Sequence, residues 1–407
     1  MLVYNDRNYY GVIMRIFIFL IIFILSSCST VSSHHTKTWI DNVHKNDITY
    51  NALMGIGINT IRDWTSCHDR NTWHLSGKTY EYKQIFKDGW KHLNYIICAQ
   101  KHFPNDTLDE KYLRAFLTEI RNQIDEIHPA YPDRAYVITF KGYQYVGGWS
   151  GGHSKGTILY QRIIKSKQMQ DQYIKWWKVA ADVFDGYDNI AFSIMNEPDY
   201  RYAGGLRDWQ RLATRTIDEI RKISPNRWIQ LEGINGSVVC RDYHRNTPTS
   251  MIKPIDRPKI MYGFHCWPKF DFSETDTAIS KYHPKVTQNQ INYVKNMLKK
   301  VTAFKKRFNV PVVINEIGIV AKHPNTKGGT EPSERAKYIR EAIMPWYREC
   351  KCGITWWAYG DDHTPYYRNQ DKRSGKPEFK AKWGRKTSGE YPIKEKELFK
   401  ALGLIQW

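Results

Sequence analysis

The chain has 407 residues, 41% of them apolar and 14% aromatic, with 15 Trp and 27 Tyr; this is enough to bury one large core, with more rings than packing alone demands. The 61 Lys and Arg against 41 Asp and Glu give a formal charge of +20, but the basic residues are scattered and no nucleic-acid-binding motif accompanies them. The charge therefore reads as solvated surface, and a nucleic-acid partner is set aside.

In chain order, the first signal lies near the amino terminus. Met14 and Arg15 precede an unbroken apolar run from Ile16 to Leu25, followed by "SSC". A charged start, a short apolar middle and a small-residue end are the parts of an export signal. The run falls short of the roughly 20 apolar residues that a membrane span needs. Leu25, Ser26, Ser27 and Cys28 resemble the lipobox of bacterial lipoproteins, and that resemblance implies lipid modification of Cys28 as the first residue of the mature chain. Residues 1–28 then form the export signal, with 1–13 an upstream extension. Residues 29–45, rich in Ser, Thr and His as far as Thr38, read as a tether, and 46–407 as one folded domain. The expected location is a bacterial membrane, with the protein anchored as an exported lipoprotein in the periplasm or at the cell surface. An ordinary cleaved signal peptide with an incidental Cys is the alternative.

Beyond the tether, short β-rich runs appear near Ile58 to Arg62, Leu93 to Cys98, Ala135 to Phe140, Asn189 to Met195, Arg227 to Leu231, Lys259 to His265, Val310 to Asn315 and Gly353 to Ala358. Between them lie segments of helical spacing such as "TLDEKYLRAFLTEIRNQIDEI" and "LRDWQRLATRTIDEIRKI". Eight strands alternating with helices is the arithmetic of a (β/α)8 TIM barrel, an α/β fold in a single catalytic domain. The strand runs are almost continuously apolar, as parallel strands covered on both faces should be. A doubly wound sheet gives the same local signal. The barrel is preferred because polar residues recur where several strands end, and barrel enzymes build their sites at those ends.

If Cys28 is acylated, Cys67, Cys98, Cys240, Cys266, Cys350 and Cys352 remain, an even number compatible with disulfides whose pairing is open. No second cysteine pair has zinc-type spacing, so no structural metal is expected.

Two strands end on carboxylates. "NIAFSIMNEPDY" closes an apolar run on Asn196, Glu197 and Pro198, and "VPVVINEIGIV" closes another on Asn315 and Glu316. A carboxylate at the mouth of a core element costs free energy unless something uses it. In a barrel the two strand ends face one pocket. Two carboxylates across a pocket are the minimum equipment for glycoside hydrolysis, and a separation of about 5 to 5.5 Å would make the mechanism retaining.

"FSIMNEP" resembles the fourth-strand acid/base motif of the clan that contains glycoside hydrolase family 5, the cellulases and mannanases, and "VVINEIG" is similar to that family's seventh-strand nucleophile motif. "GINTIRDW", "FHCWP" and "GITWWAYGDD" resemble its early arginine strand, its sixth-strand His motif and its eighth strand, in the family's order from about Gly57 to Asp361. The resemblance implies Glu197 as acid/base, Glu316 as nucleophile and Arg62 as a hydrogen-bonding partner of Glu316. It further implies Asn196 on the substrate 2-hydroxyl, His265 lining the site and Trp357 under the sugar ring, with Trp356 the alternative because adjacent strand residues point to opposite sides. The implied activity is endo-acting, retaining cleavage of a β-1,4-linked glucan or mannan, with a polysaccharide or oligosaccharide as partner and neither metal nor organic cofactor. A monomer is expected.

Two departures from the family stand out. Trp267 occupies the position where a Tyr usually touches the nucleophile; a Trp donates one hydrogen bond but has no hydroxyl. The third strand runs into Lys141 and Tyr143 where a His is usual, and the following "WSGG" resembles a loop of family 5 mannanases. Two competing readings remain. Gly148, Trp149, Ser150, Gly151 and Gly152 match the G-x-S-x-G elbow of serine esterases, but an elbow leaves a strand and enters a helix at once, whereas this one lies some eight residues past the strand. The other is a glycan-binding lipoprotein that keeps the barrel without catalysis.

Overall fold

The computed structural model describes residues 46–62, 79–142, 159–198, 205–234, 253–267, 282–283, 285–319, 329–359, 366–367, 393–394 and 396–404. The expected export signal, Cys28 and the tether lie outside them, as do Cys67, Cys240 and the Ser150 elbow.

Eight parallel strands close into a barrel: β1 Ile56–Arg62, β2 His92–Cys98, β3 Ala135–Lys141, β4 Ile190–Ser193, β5 Trp228–Glu232, β6 Ile260–Cys266, β7 Val312–Ile317 and β8 Gly353–Tyr359. Their order around the barrel is β1-β8-β7-β6-β5-β4-β3-β2. Every run read from the sequence is present, within a residue or two of its expected ends. The fold is therefore the (β/α)8 barrel, and the doubly wound alternative falls because the sheet has no edge.

The helices are α1 Ile48–Leu53, α2 Thr79–Lys87, α3 Glu110–Ile127, α4 Leu159–Lys165, α5 Lys167–Val183, α6 Leu206–Arg221, α7 Gln288–Phe308, α8 Pro332–Tyr338, α9 Met344–Cys350 and α10 Lys396–Leu402. Helix α3 illustrates why they form. Leu113, Leu117, Ile120, Ile124 and Ile127 recur at helical spacing and are buried, each stabilising the fold by about 1.5 to 3 kcal/mol. Asp109 caps its start by accepting the Tyr112 N–H at 2.9 Å. A π-helical turn, Ile339–Ile343, joins α8 to α9, where Pro345 lacks the N–H that a regular ladder would offer to the Glu341 carbonyl. Cys350 and Cys352 form a disulfide with Cα atoms 5.2 Å apart, while Cys98 and Cys266 are buried thiols.

The barrel interior is built in two chemical zones. At the amino-terminal ends, Ala135, Val137, Ala191, Trp228, Met261 and Val313 pack with Ala52 and Leu53 of α1 as an apolar floor. Above it Asn59, Asn94, Thr139, Ser193, Gln230, Asn315 and Thr355 are all buried, where barrels usually stack branched aliphatics. Buried polar groups need partners, and part of this zone supplies its own. Thr139 Oγ1 donates to Asn94 Oδ1 (2.6 Å), Asn94 Nδ2 to Asn59 Oδ1 (2.7 Å), and Asn59 Nδ2 to the Asn315 carbonyl (2.9 Å). This chain leads from β3 to β7 directly beneath the carboxyl ends of the strands.

Candidate active site

The exit of β4 is held from two sides. The Ile194 carbonyl accepts the Tyr173 hydroxyl and the Trp177 indole N–H (3.1 Å), both from α5, and the Asn196 N–H donates to the Phe140 carbonyl at 2.8 Å. Glu197 then takes φ +47, a left-handed conformation that costs a residue with a Cβ about 1 to 2 kcal/mol. Its backbone N–H donates to Glu232 Oε2 at 2.7 Å.

On the far side, the β6–β7 register shifts: Phe264 pairs with Ile314, but His265 pairs with Glu316. The extra residue is Asn315, and this bulge re-aims the strand where it meets the site. The Asn315 amide fills the space that Gly263 leaves, for a Cβ there would lie 2.8 Å from Nδ2, and it donates to Glu232 Oε1. Glu316 follows with its side chain only 7% exposed, and Oε2 accepts the Trp267 indole N–H at 3.1 Å.

His265, fully buried, sits among three carboxylates. Nδ1 is 2.8 Å from Glu197 Oε1 and 3.2 Å from Glu316 Oε2. Nε2 lies 3.2 Å from Glu232 Oε2, close enough for charge–charge attraction though misaligned for a hydrogen bond. Burial alone would lower the His265 pKa, but the charges of Glu316, Glu232 and Glu197 outweigh it and raise the pKa well above 6.5. Burial also raises Glu316, helped by the Glu197 charge and opposed by His265 and Lys141. A donor oxygen of Glu197, one of Glu316 and a His265 nitrogen lie within 4.8 Å of one another. The same three donors could ligate a divalent cation, but the Nδ1 proton between the carboxylates would have to leave first.

The structure thus brings Glu197, Glu316, His265 and Trp267 into direct contact. Asn196 is beside them, buried, with its Nδ2 lacking a hydrogen-bond partner among the described residues. Trp357 packs against Ile96 and Cys98, meets Trp267 edge-on at 6.5 Å and carries Lys141 Nζ at 5.2 Å from its ring centroid. Trp356 points the other way, where Arg335 of α8 lies over its ring. Arg62 ends β1, and its side chain is outside the described ones. Sequence reasoning missed Glu232, fully buried at the end of β5. The signal was available in "WIQLEG", a third apolar run that ends on a carboxylate.

A family model described as cellulase, glycosyl hydrolase family 5, matches residues 152–363, which is 212 of the 407 residues and more than half of the chain. Among curated proteins, endoglucanase A of Paenibacillus barcinonensis is 25% identical over 297 residues, 66% of this chain and 68% of that protein. Among solved structures, the cellulose synthase subunit Z of Clostridioides difficile superposes with a TM-score of 0.62 at 16% identity, covering 86% of this chain and 99% of its own. Cel5A of Thermotoga maritima, solved with mannotriose, gives 0.60 at 15% identity over 88% of this chain and 100% of its own. At these identities the structural likenesses carry the fold alone.

Proposed function

The chain belongs to glycosyl hydrolase family 5 and is a β-glycoside hydrolase that degrades polysaccharide, and from that premise we propose that it cleaves internal bonds of a β-1,4-linked glucan or mannan with retention of configuration. The observation that carries this reading is that one carboxylate oxygen of Glu197 and one of Glu316, from the ends of β4 and β7, lie within 4.8 Å of each other and both contact His265 Nδ1. Inverting enzymes hold the pair about 6.5 to 9.5 Å apart to seat a water, whereas a direct nucleophile needs the shorter spacing.

Glu316 attacks the anomeric carbon while Glu197 protonates the departing glycosidic oxygen. In the second half-reaction Glu197 takes a proton from water as that water displaces Glu316. Asn196 Nδ2 supplies a donor for the substrate 2-hydroxyl, and Trp357 supplies an aromatic face at the cleft. Glucan and mannan are both retained because Thermotoga Cel5A has been solved with cellobiose and with mannotriose. We also place the protein on a membrane through acylated Cys28, a reading that labelled-palmitate incorporation tests and that undiminished labelling of Cys28→Ala would refute.

The test of function is a reducing-sugar screen on soluble glucans, mannans and xylans with Glu316→Gln as control, followed by proton NMR of the first product. Release by wild type alone, with the β-anomer appearing first, is the expected result. Equal inertness of the two proteins, or an α-anomer first, overturns the reading.

A further inference from the structure

Glu232 belongs to no role assigned so far, yet it is a fully buried carboxylate, and such a group is costly unless its neighbours use it. Three neighbours do. The Glu197 N–H and the Asn315 amide each donate to one of its oxygens, and His265 Nε2 sits 3.2 Å away. Its own carbonyl accepts the Trp209 indole N–H at 2.8 Å, which ties the end of β5 to α6. We propose that Glu232 is the positioning residue of this active site, fixing the backbone of Glu197 and the ring of His265 so that the two outer carboxylates share one imidazole. The proposal rests on the roles given above to Glu197 and Glu316.

Each contact has a mechanical consequence. Glu197 is held in a left-handed conformation that a residue with a Cβ rarely adopts, and the 2.7 Å bond from its N–H to Glu232 fixes the amide there. Asn315, the bulge residue, is fixed at its amide by Glu232 and at its carbonyl by Asn59, so Glu232 also sets the step of chain that delivers Glu316. The charge matters separately from the shape. Among the described residues, the ionisable groups facing His265 are Glu197 at the end of β4, Glu232 on β5 and Glu316 on β7, with Lys141 of β3 acting on Glu316. The charges of Glu316 and Glu232 favour the protonated imidazole even in the form where Glu197 carries the proton it donates. Removing one of them lets it lose its proton at lower pH, and the titration belongs to the cluster rather than to one residue.

Glu232→Gln removes the charge and keeps one carbonyl to accept from the Glu197 N–H, while its NH2 replaces the oxygen that accepts from Asn315. The expected result is a kcat about 10- to 100-fold lower with KM little changed, and a basic limb of the pH profile displaced to lower pH by about one unit or more. Glu232→Asp, which keeps the charge, should leave that limb near the wild-type position. Nitrogen NMR of the His265 ring reads the same shift without substrate, so this test survives even if no glycan is cleaved, an outcome that would fail the functional reading alone. If Glu232→Gln does not fold, the His265 titration in wild type decides: deprotonation at or below the ordinary histidine pKa overturns the proposal. So does a folded Glu232→Gln protein whose basic limb and His265 titration match wild type.

Discussion

Trp267 donates its indole N–H to Glu316 Oε2 at 3.1 Å, so the residue that departs from the family pattern still meets the candidate nucleophile. The donor stabilises the carboxylate form, opposing the burial that pushes the Glu316 pKa upward. Trp267→Phe keeps the ring and removes the N–H. The Glu316 pKa should then rise further, moving the acid limb of kcat/KM to higher pH and lowering kcat about tenfold at neutral pH. A pH profile of the variant checks this, and an unmoved acid limb would mean that the indole is packing only.

Trp357 should act mainly on binding. Its ring stands nearly at right angles to Trp267, which touches Glu316, and has Lys141 Nζ over its face, and a stacked ring contributes about 1 kcal/mol beyond the area it buries. Trp357→Ala should therefore raise KM several-fold on a polymeric substrate, with a smaller fall in kcat. Trp356→Phe, on the opposite side of the strand, should leave KM unchanged. Steady-state kinetics on both variants decide between them, and a KM effect confined to Trp356 would reverse the assignment.

These two tryptophans also mark the boundary of what the sequence could convey. Alternation along β8 requires that one of them faces the barrel mouth, but which one depends on register, and register is a property of neighbouring strands. Parallel strands buried on both faces read as apolar runs, so all eight were legible, and Glu197 and Glu316 were legible because they interrupt such runs. The bulge at Asn315 was not, since a one-residue shift against β6 leaves no compositional trace. Glu232 was overlooked for a different reason. The run expected from the sequence ends at Leu231, whereas the strand continues through Glu232, so this third strand-end carboxylate falls one residue beyond the expected end.

Gly57 and His92 offer a test of the barrel itself. A Cβ at position 57 would lie 2.1 Å from His92 Cδ2, and the ring has no room to yield because both its nitrogens are engaged, Nδ1 with the Ala52 carbonyl at 3.0 Å and Nε2 with Thr355 Oγ1 at 2.8 Å. Overpacking of this kind costs about 1 to 3 kcal/mol. Gly57→Ala should lower the midpoint of urea unfolding accordingly, and an unchanged midpoint would show that the floor of the barrel can expand.

His92 predicts how stability depends on pH. The Ala52 carbonyl can only accept, so Nδ1 carries the proton and Nε2 accepts from the Thr355 hydroxyl; the ring is neutral, and burial presses its pKa down to about 4. In the unfolded chain the same group titrates near 6.5. Between those values the unfolded state binds more protons than the folded one, so stability falls as pH drops from about 6.5 to 4 and changes no further from this group below that range. The full difference is about 3 kcal/mol. His92→Gln should be less stable than wild type at pH 7, and its stability should fall less steeply on acidification through that window. Urea midpoints measured from pH 7 to pH 4 test the slope, and parallel curves for the two proteins would mean that His92 is already free to protonate in the folded barrel.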